Sequence, residues 1–240
     1  MRKSICVLVS GGLDSDVLLA ELAGRYQSVV PVYVRQGLAW ERAELYWLKK
    51  FISALQASPR PRLSPRKRAL GEGRLRPLRI LSLPMQDVYG SHWSLGGKPV
   101  PGSRSADSAV YLPGRNLALT VKAAVLCARE GIREIALGSL GDNPFPDATP
   151  AFFRTWGQAL SRGLKVPLVI RAPYRSQNKA EIIHRGRGLP LELSFSCIAP
   201  KGYRHCGRCN KCAERRRAFR EAGVFDKTPL AAKIDSRSVR

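Results

Sequence analysis

The chain has no apolar run that approaches the ~18–20 residues of a membrane helix. Acidic residues are scarce: 18 Asp and Glu stand against 41 Lys and Arg, a net charge of +23 over 240 residues. The first absence argues against an integral membrane protein, and the basic start turns into Gly-Gly-Leu-Asp too soon for a signal segment. The second favours anionic partners such as nucleotides, nucleic acid or acidic metabolites, without choosing among them. By count, 29 of the 41 cations are Arg, scattered along the chain with no block of six like charges. Contact with nucleic acid is therefore compatible with the composition but not required by it. No GxxxxGK[ST] string occurs, which removes a Walker loop, and the first strand–helix junction has no GxGxxG. Six cysteines are too few for a disulfide scaffold of this length, and there is no internal repeat. A single soluble, cytoplasmic domain with a small appendage is the expectation.

Hydrophobic periodicity supplies the fold class. Residues 4–9 read as a buried strand, 15–26 as a helix with Val17, Leu18, Leu22 and Tyr26 inward, 28–34 as a strand, and 41–55 as an amphipathic helix. Strands are expected at 79–83, 132–138 and 166–170. Helices are expected at 116–130 (inner face Leu117, Val121, Ala124, Val125, Ala128), at 151–162 through Phe152, Trp156 and Leu160, and at 177–186. This βαβα order predicts an α/β fold with a parallel sheet. Residues 57–78, with four prolines and a row of Arg, read as a mobile basic insertion. Residues 90–110 read as a loop over a site, and 139–150 as a Gly/Pro/Asp loop. The expected division is 1–190 for the α/β domain, 191–225 for a cysteine-bearing module ending in a basic helix near 212–221, and 226–240 for a tail.

Two motifs carry chemistry. Ser-Gly-Gly-Leu-Asp-Ser, 10–15, follows a strand and opens a helix. Its glycines permit a sharp turn, and the N–H groups at the helix start form an anion cradle. Val9, Ser10, Gly11, Gly12, Leu13, Asp14 and Ser15 are the candidate phosphate-binding residues. The second motif places Cys206, Cys209 and Cys212 at spacings of three, with Cys197 nine residues upstream of the first. Four thiolates on a short loop suit a tetrahedral Zn²⁺ with no open position, hence a structural ion. Disulfides and an iron–sulfur cluster are the alternatives; the ferredoxin spacing with a following Cys-Pro is missing. His205 reads as a neighbour rather than a ligand. Cys6 and Cys127 read as core residues.

The 10–15 string resembles the PP-loop of the N-type ATP pyrophosphatases, enzymes that adenylate a carbonyl or carboxyl oxygen. Together with the cysteine segment, with Tyr-Leu-Pro-Gly-Arg-Asn at 111–116, the 138–153 loop and the Lys-x-Glu start at 179, it resembles the 7-cyano-7-deazaguanine synthase family of the queuosine pathway, from about residue 3 to 222. The resemblance implies an adenine-nucleotide hydrolase-like α/β fold and a homodimer. It implies a ligase that turns 7-carboxy-7-deazaguanine and ammonia into 7-cyano-7-deazaguanine, with ATP, Mg²⁺ and one structural Zn²⁺. It implies Asp14, Ser15 and Lys179 as catalytic residues, and Arg115, Asn116, Asp142 and Asp147 as substrate-binding residues. Three positions depart from the family. Gln36-Gly37-Leu38-Ala39-Trp40 stands for Tyr-Gly-Gln-Arg-His, Ala148-Thr149 for Cys-Arg, and Asp16 for Thr or Ser. These leave a paralogue with another acceptor, on a small molecule or a tRNA base, as the alternative enzyme. A zinc-ribbon nucleic-acid-binding protein is the alternative outside enzymes, and it leaves the 10–15 loop unexplained.

Overall fold

A computed structural model describes residues 2–57, 75–96, 99–141 and 143–231. The chain runs β1 (Arg2–Leu8), α1 (Leu13–Ala23), β2 (Tyr26–Arg35), α2 (Glu41–Ala57), β3 (Arg79–Ser82) and a single turn α3 (Gln86–Tyr89). It continues with α4 (Arg115–Glu130), β4 (Glu134–Ala136), α5 (Pro150–Leu164), β5 (Val169–Arg171), α6 (Lys179–Arg185) and α7 (Asn210–Glu221). The five strands form one sheet in the order β3-β2-β1-β4-β5, and every neighbouring pair is parallel. The α/β fold expected from periodicity is the one observed.

The strand order explains where a ligand belongs. From β1 the chain moves outward through β2 to β3, then returns to place β4 on the other side of β1. The connections after β1 and β4 therefore leave the sheet in opposite directions and open a crevice at their carboxyl ends. The 10–15 loop follows β1 and Gly138-Ser139 follows β4.

Two apolar layers sandwich the sheet. On one face Ile5, Val7, Val29 and Tyr33 pack with α1, α2 and α6; on the other Cys6, Leu8, Val32 and Ile135 pack with α4 and α5. Period-2 alternation along β1 sends its side chains to the two layers in turn. Ala218 and Phe219 of α7 and Ala222, which caps it, belong to the first layer. The cysteine-bearing segment therefore shares a core with the α/β part.

The observed elements shift several expectations. Tyr26 is buried, but it opens β2 instead of ending α1; Gly24 caps the helix two residues earlier. The inner face of α4 is Thr120, Ala123, Ala124 and Cys127, while Val121 and Val125 are 37% and 44% exposed. In α5 the buried residues are Phe153 and Gly157; Phe152, Trp156 and Leu160 are half-buried. The α4 stripe is turned by about one residue, because small residues let the helix approach the sheet closely and leave the valines at the rim; in α5, Phe152, Trp156 and Leu160 pack against the second layer beside Phe153. Of the 57–78 segment, 58–74 lies outside the described residues. Leu75 pairs with Val29 in a bridge beside β2, and Leu75 and Leu78 pack on the core. Beyond 225, Ala231 donates its N–H to the His205 carbonyl, so the chain returns to the cysteine segment. No helix among the described residues is long and apolar enough to cross a membrane.

Candidate active site and metal centre

The 10–15 loop closes on itself. Gly12 N–H donates to Ser10 Oγ (3.2 Å), Ser10 N–H to Ser15 Oγ (3.2 Å), and Ser15 Oγ–H to the Gly12 carbonyl (2.8 Å). Gly11 has φ +75°, and a Cβ there would meet the Glu44 carbonyl oxygen at 3.0 Å and Leu48 Cβ at 3.2 Å. Only glycine turns this way while α2 packs so close behind. No side chain caps the start of α1. Its first N–H groups stay available to an anion, at the positive end of the helix dipole.

A cavity of about 240 Å³ opens onto this loop. Val9, Ser10, Gly12, Asp14 and Ser15 line it from the loop, with Tyr33, Leu38, Arg115, Asn116 and Asp147, and Gly138, Ser139 and Asn143 line it from the segment after β4. Gly11 and Leu13 are buried in the turn. The structure therefore brings Arg115, Asn116 and Asp147 to the same cavity as the loop; Asp142 lies outside the described residues. The Arg115 Nε and Ser139 Oγ atoms are buried without a partner, and so is Asp14 Oδ1. Unsatisfied buried polar atoms of both signs around one cavity fit a polar ligand. Ser139 carried no sequence signal. It follows a strand by three residues, and only the topology puts it beside the loop.

Asp147 is already engaged. Its Oδ2 accepts from Asn116 N–H (2.9 Å) and its Oδ1 from Asn116 Nδ2 (3.3 Å). Gly114 leaves α4 without a side-chain cap of its own, and Asp147 supplies the missing acceptor from a distant turn. Behind the cavity, Tyr33 OH donates to Glu44 Oε2 (2.6 Å). Burial raises the Glu44 carboxyl to about 7, against the pull of Arg115 and the tyrosine. Asp16 is fully buried, and burial raises its carboxyl well above the ordinary range.

Lys179 begins α6 beside a second cavity of about 150 Å³, which shares Asp14, Gly138, Asn143 and Phe145 with the first. Its Nζ lies 3.4 Å from Asp14 Oδ2 and donates to Glu214 Oε1. Burial opposes its charge, but Asp14 and Glu214 outweigh it and raise its pKa. Burial also raises the Asp14 carboxyl, with Lys179 only partly offsetting it. Glu214 also accepts from Lys211; the two ammoniums overcome its desolvation and hold it at about 2. Neither Glu214 nor Lys211 stood out in the sequence, where they are lost among the Arg of the basic helix.

Cys197, Cys206, Cys209 and Cys212 are buried, and their four sulfurs all lie within 4.8 Å of one another. Cys197 Sγ is 3.8 Å from Cys209 Sγ, and Cys206 Sγ is 4.0 Å from Cys212 Sγ. Bonds of ~2.3 Å to one tetrahedral ion would set neighbouring sulfurs about 3.8 Å apart. Backbone N–H groups of Ala199 and Cys206 donate to Cys197 Sγ, and that of Arg208 to Cys206 Sγ, which stabilises thiolate charge. The residues fit a single metal ion. His205 turns away: its Nε2 accepts from Ser196 N–H (3.0 Å), and burial with the nearby Arg215 lowers its pKa to about 3. Cys6 and Cys127 sit fully buried in the core.

The family model described as "Queuosine biosynthesis protein QueC" matches residues 4–223. The chain belongs to this family. Among curated QueC-like relatives, the 7-cyano-7-deazaguanine synthase of Thiobacillus denitrificans is 30% identical over 96% of this chain and 100% of its own. That of Methanococcus maripaludis is 28% identical over 94% and 97%. Among solved structures, the U34-tRNA thiolase NcsA from Methanococcus maripaludis, with its [4Fe-4S] cluster, overlaps 99% of this chain and 77% of its own. Its TM-score is 0.47 at 14% identity. The QueC match spans both the 10–15 loop and the cysteine segment, so the two motifs belong to one family pattern.

Proposed function

We propose that the chain is an ATP-dependent ligase that converts 7-carboxy-7-deazaguanine and ammonia to 7-cyano-7-deazaguanine. The observation that carries this reading is the QueC match over 4–223 together with an uncapped helix start beside a cavity that Arg115, Asn116 and Ser139 also line. A carboxylate is a poor electrophile because oxide would have to leave. Attack of a carboxylate oxygen on the ATP α-phosphorus expels pyrophosphate and makes AMP the leaving group. Ammonia then adds to the acyl carbon, loses a proton and displaces AMP to give the amide. Adenylation of the amide oxygen and loss of AMP with the remaining N–H protons gives the nitrile. One site serves both rounds because each removes one activated oxygen.

In this reading residues 10–15 and Val9 hold the phosphates through backbone N–H groups and the two serine hydroxyls. Lys179 neutralises charge growing on pyrophosphate. Asp14, a cavity-lining residue with one unpartnered buried oxygen, would hold the Mg²⁺ that accompanies ATP, and the ion would shield the phosphate charge. Arg115 offers its fork to the substrate carboxylate. Asn116 and Asp147 hold the start of α4, and with it Arg115, in place; Asp142 belongs to the same substrate loop. The four cysteines hold one structural Zn²⁺. We also read the chain as cytoplasmic and homodimeric, on the family resemblance alone; light scattering on the purified protein decides the second point.

The test is direct. Metal-loaded protein with 7-carboxy-7-deazaguanine, ammonium, Mg²⁺ and ATP should form nitrile and release one pyrophosphate for each oxygen removed. The specific observation favouring a second reading is the apolar replacement of polar family residues at Leu38 and Ala148, both buried at or beside the cavity. Pyrophosphate release without nitrile would point to another acceptor, on a small molecule or a tRNA.

A further inference from the structure

We propose that Glu214, carried into the site on α7, is the counter-ion that tempers Lys179 so that magnesium pyrophosphate is released instead of retained. The inference rests on the reading of residues 10–15 as a nucleotide site and adds a role that the reading does not contain.

The geometry is specific. α7 starts directly after Cys209, its N-cap residue, and carries Cys212 in its first turn. Two residues further on, Glu214 reaches the second cavity and uses both oxygens: Oε1 accepts from Lys179 and Oε2 from Lys211. Lys179 also faces Asp14 of α1 at 3.4 Å. The Lys179, Asp14 and Glu214 side chains are only 18%, 21% and 15% exposed, so the set is not a solvated surface pair. Asp107 and Arg217 stand further out on the same cavity wall.

The charges of Lys179, Lys211, Asp14 and Glu214 sum to zero. An anion entering from the 10–15 loop meets an ammonium already shared with two carboxylates. Removing Glu214 leaves the set with one net positive charge, in surroundings where charges are weakly screened. Pyrophosphate would then bind more tightly and leave more slowly. A role confined to holding Lys179 in position makes the opposite prediction, because its loss would weaken pyrophosphate binding.

The experiment titrates inorganic pyrophosphate with Mg²⁺ into the metal-loaded full chain by calorimetry and, in parallel, measures product inhibition of ATP turnover. Glu214→Gln should bind pyrophosphate about tenfold more tightly and be inhibited correspondingly earlier, with metal content unchanged. Glu214→Asp, which keeps the charge, should restore the wild-type constant to within about threefold. In a Glu214→Gln/Lys179→Gln double variant the gain should vanish, because the two side chains act as a unit. Lys179→Gln alone, which leaves Glu214 paired with Lys211, should weaken pyrophosphate about tenfold or more. Unchanged or weaker binding in Glu214→Gln, or a gain that survives loss of Lys179, overturns the proposal. If Glu214→Gln sheds its metal, the Lys179→Gln and Glu214→Asp results still decide. A wild-type chain that binds no pyrophosphate overturns the nucleotide-site reading and this proposal together. One that binds it but makes no nitrile removes only the assigned acceptor.

Discussion

Gly138→Ala should damage the proposed phosphate loop from the neighbouring strand's end. A Cβ at 138 would stand 2.9 Å from the Asp14 carbonyl carbon, 3.0 Å from its oxygen and 3.1 Å from Ser15 N. All three are backbone atoms in the first turn of α1, and no side-chain rotation can relieve them. Either β4 retreats from β1 or the helix start moves. Overpacking of this kind costs roughly 1–3 kcal/mol. For a chain of this length each kcal/mol lowers Tm by about 2–4 °C. The displaced groups are also the cradle itself, so KM for ATP should rise several-fold. Gly163→Ala is the matched control: it lies in α5 with nothing within 4 Å of its added Cβ. There the same methyl should stabilise by roughly 0.5–1 kcal/mol through helix propensity. Thermal unfolding and ATP kinetics on the two variants read both effects. Equal shifts in the two proteins, or an unmoved Tm and KM in Gly138→Ala, would refute the close-approach argument.

Ser15→Ala removes a hydroxyl that donates to the Gly12 carbonyl and accepts from Ser10 N–H; ATP binding should weaken by about 1 kcal/mol, read as KM, with the metal retained. Any one Cys→Ser change among Cys197, Cys206, Cys209 and Cys212 should lose the ion and lower the Tm of the whole chain, because α7 shares the main core; elemental analysis and a single calorimetric transition check it. Glu44 titrates at about 7 in the folded state against an ordinary 4.5, so the unfolded chain releases its proton first. Stability should fall as pH rises from about 4.5 to 7 and level off above, a loss on the order of 3 kcal/mol. Glu44→Gln should flatten that slope in urea melts, and an unchanged slope would count against the buried carboxyl. Arg215→Ala should cost roughly 3–5 kcal/mol, because the buried guanidinium links Ser194, Leu191, Asp226 and Thr228; chemical denaturation measures it.

The strands, the helices and both motifs were legible because each rests on a local pattern: apolar runs, a 3.6 period, a glycine turn, three cysteines at one spacing. What was hidden depends on which elements meet. The α4 stripe lies about a residue off its periodic reading, since the sheet accepts alanine there and turns valine outward. Asp147 caps a helix through Asn116, which lies 31 residues earlier in the chain. Ser139, Glu214 and Lys211 join the site through the β1/β4 crevice and the return of α7. Arg215 looks like any cation of a basic helix, yet it is only 4% exposed. No window of sequence holds those pairings.

The Phe195 N–H donates to the Gly11 carbonyl at 2.6 Å, a bond that ties the last fifth of the chain to its first dozen residues. During synthesis the 10–15 turn and α2 emerge well before Phe195, whose bond completes the turn's support. Until residue 195 and then α7 leave the ribosome, the nascent chain carries a glycine turn without its Phe195 bond and a core layer without Ala218, Phe219 and Ala222. Affinity for nucleotide should thus appear late and abruptly with chain length. Stalled chains ending before 195 should lack it even when the sheet is complete. The late closure of so long a loop also argues for slow folding, with the open crevice as the surface that needs protection in the interval.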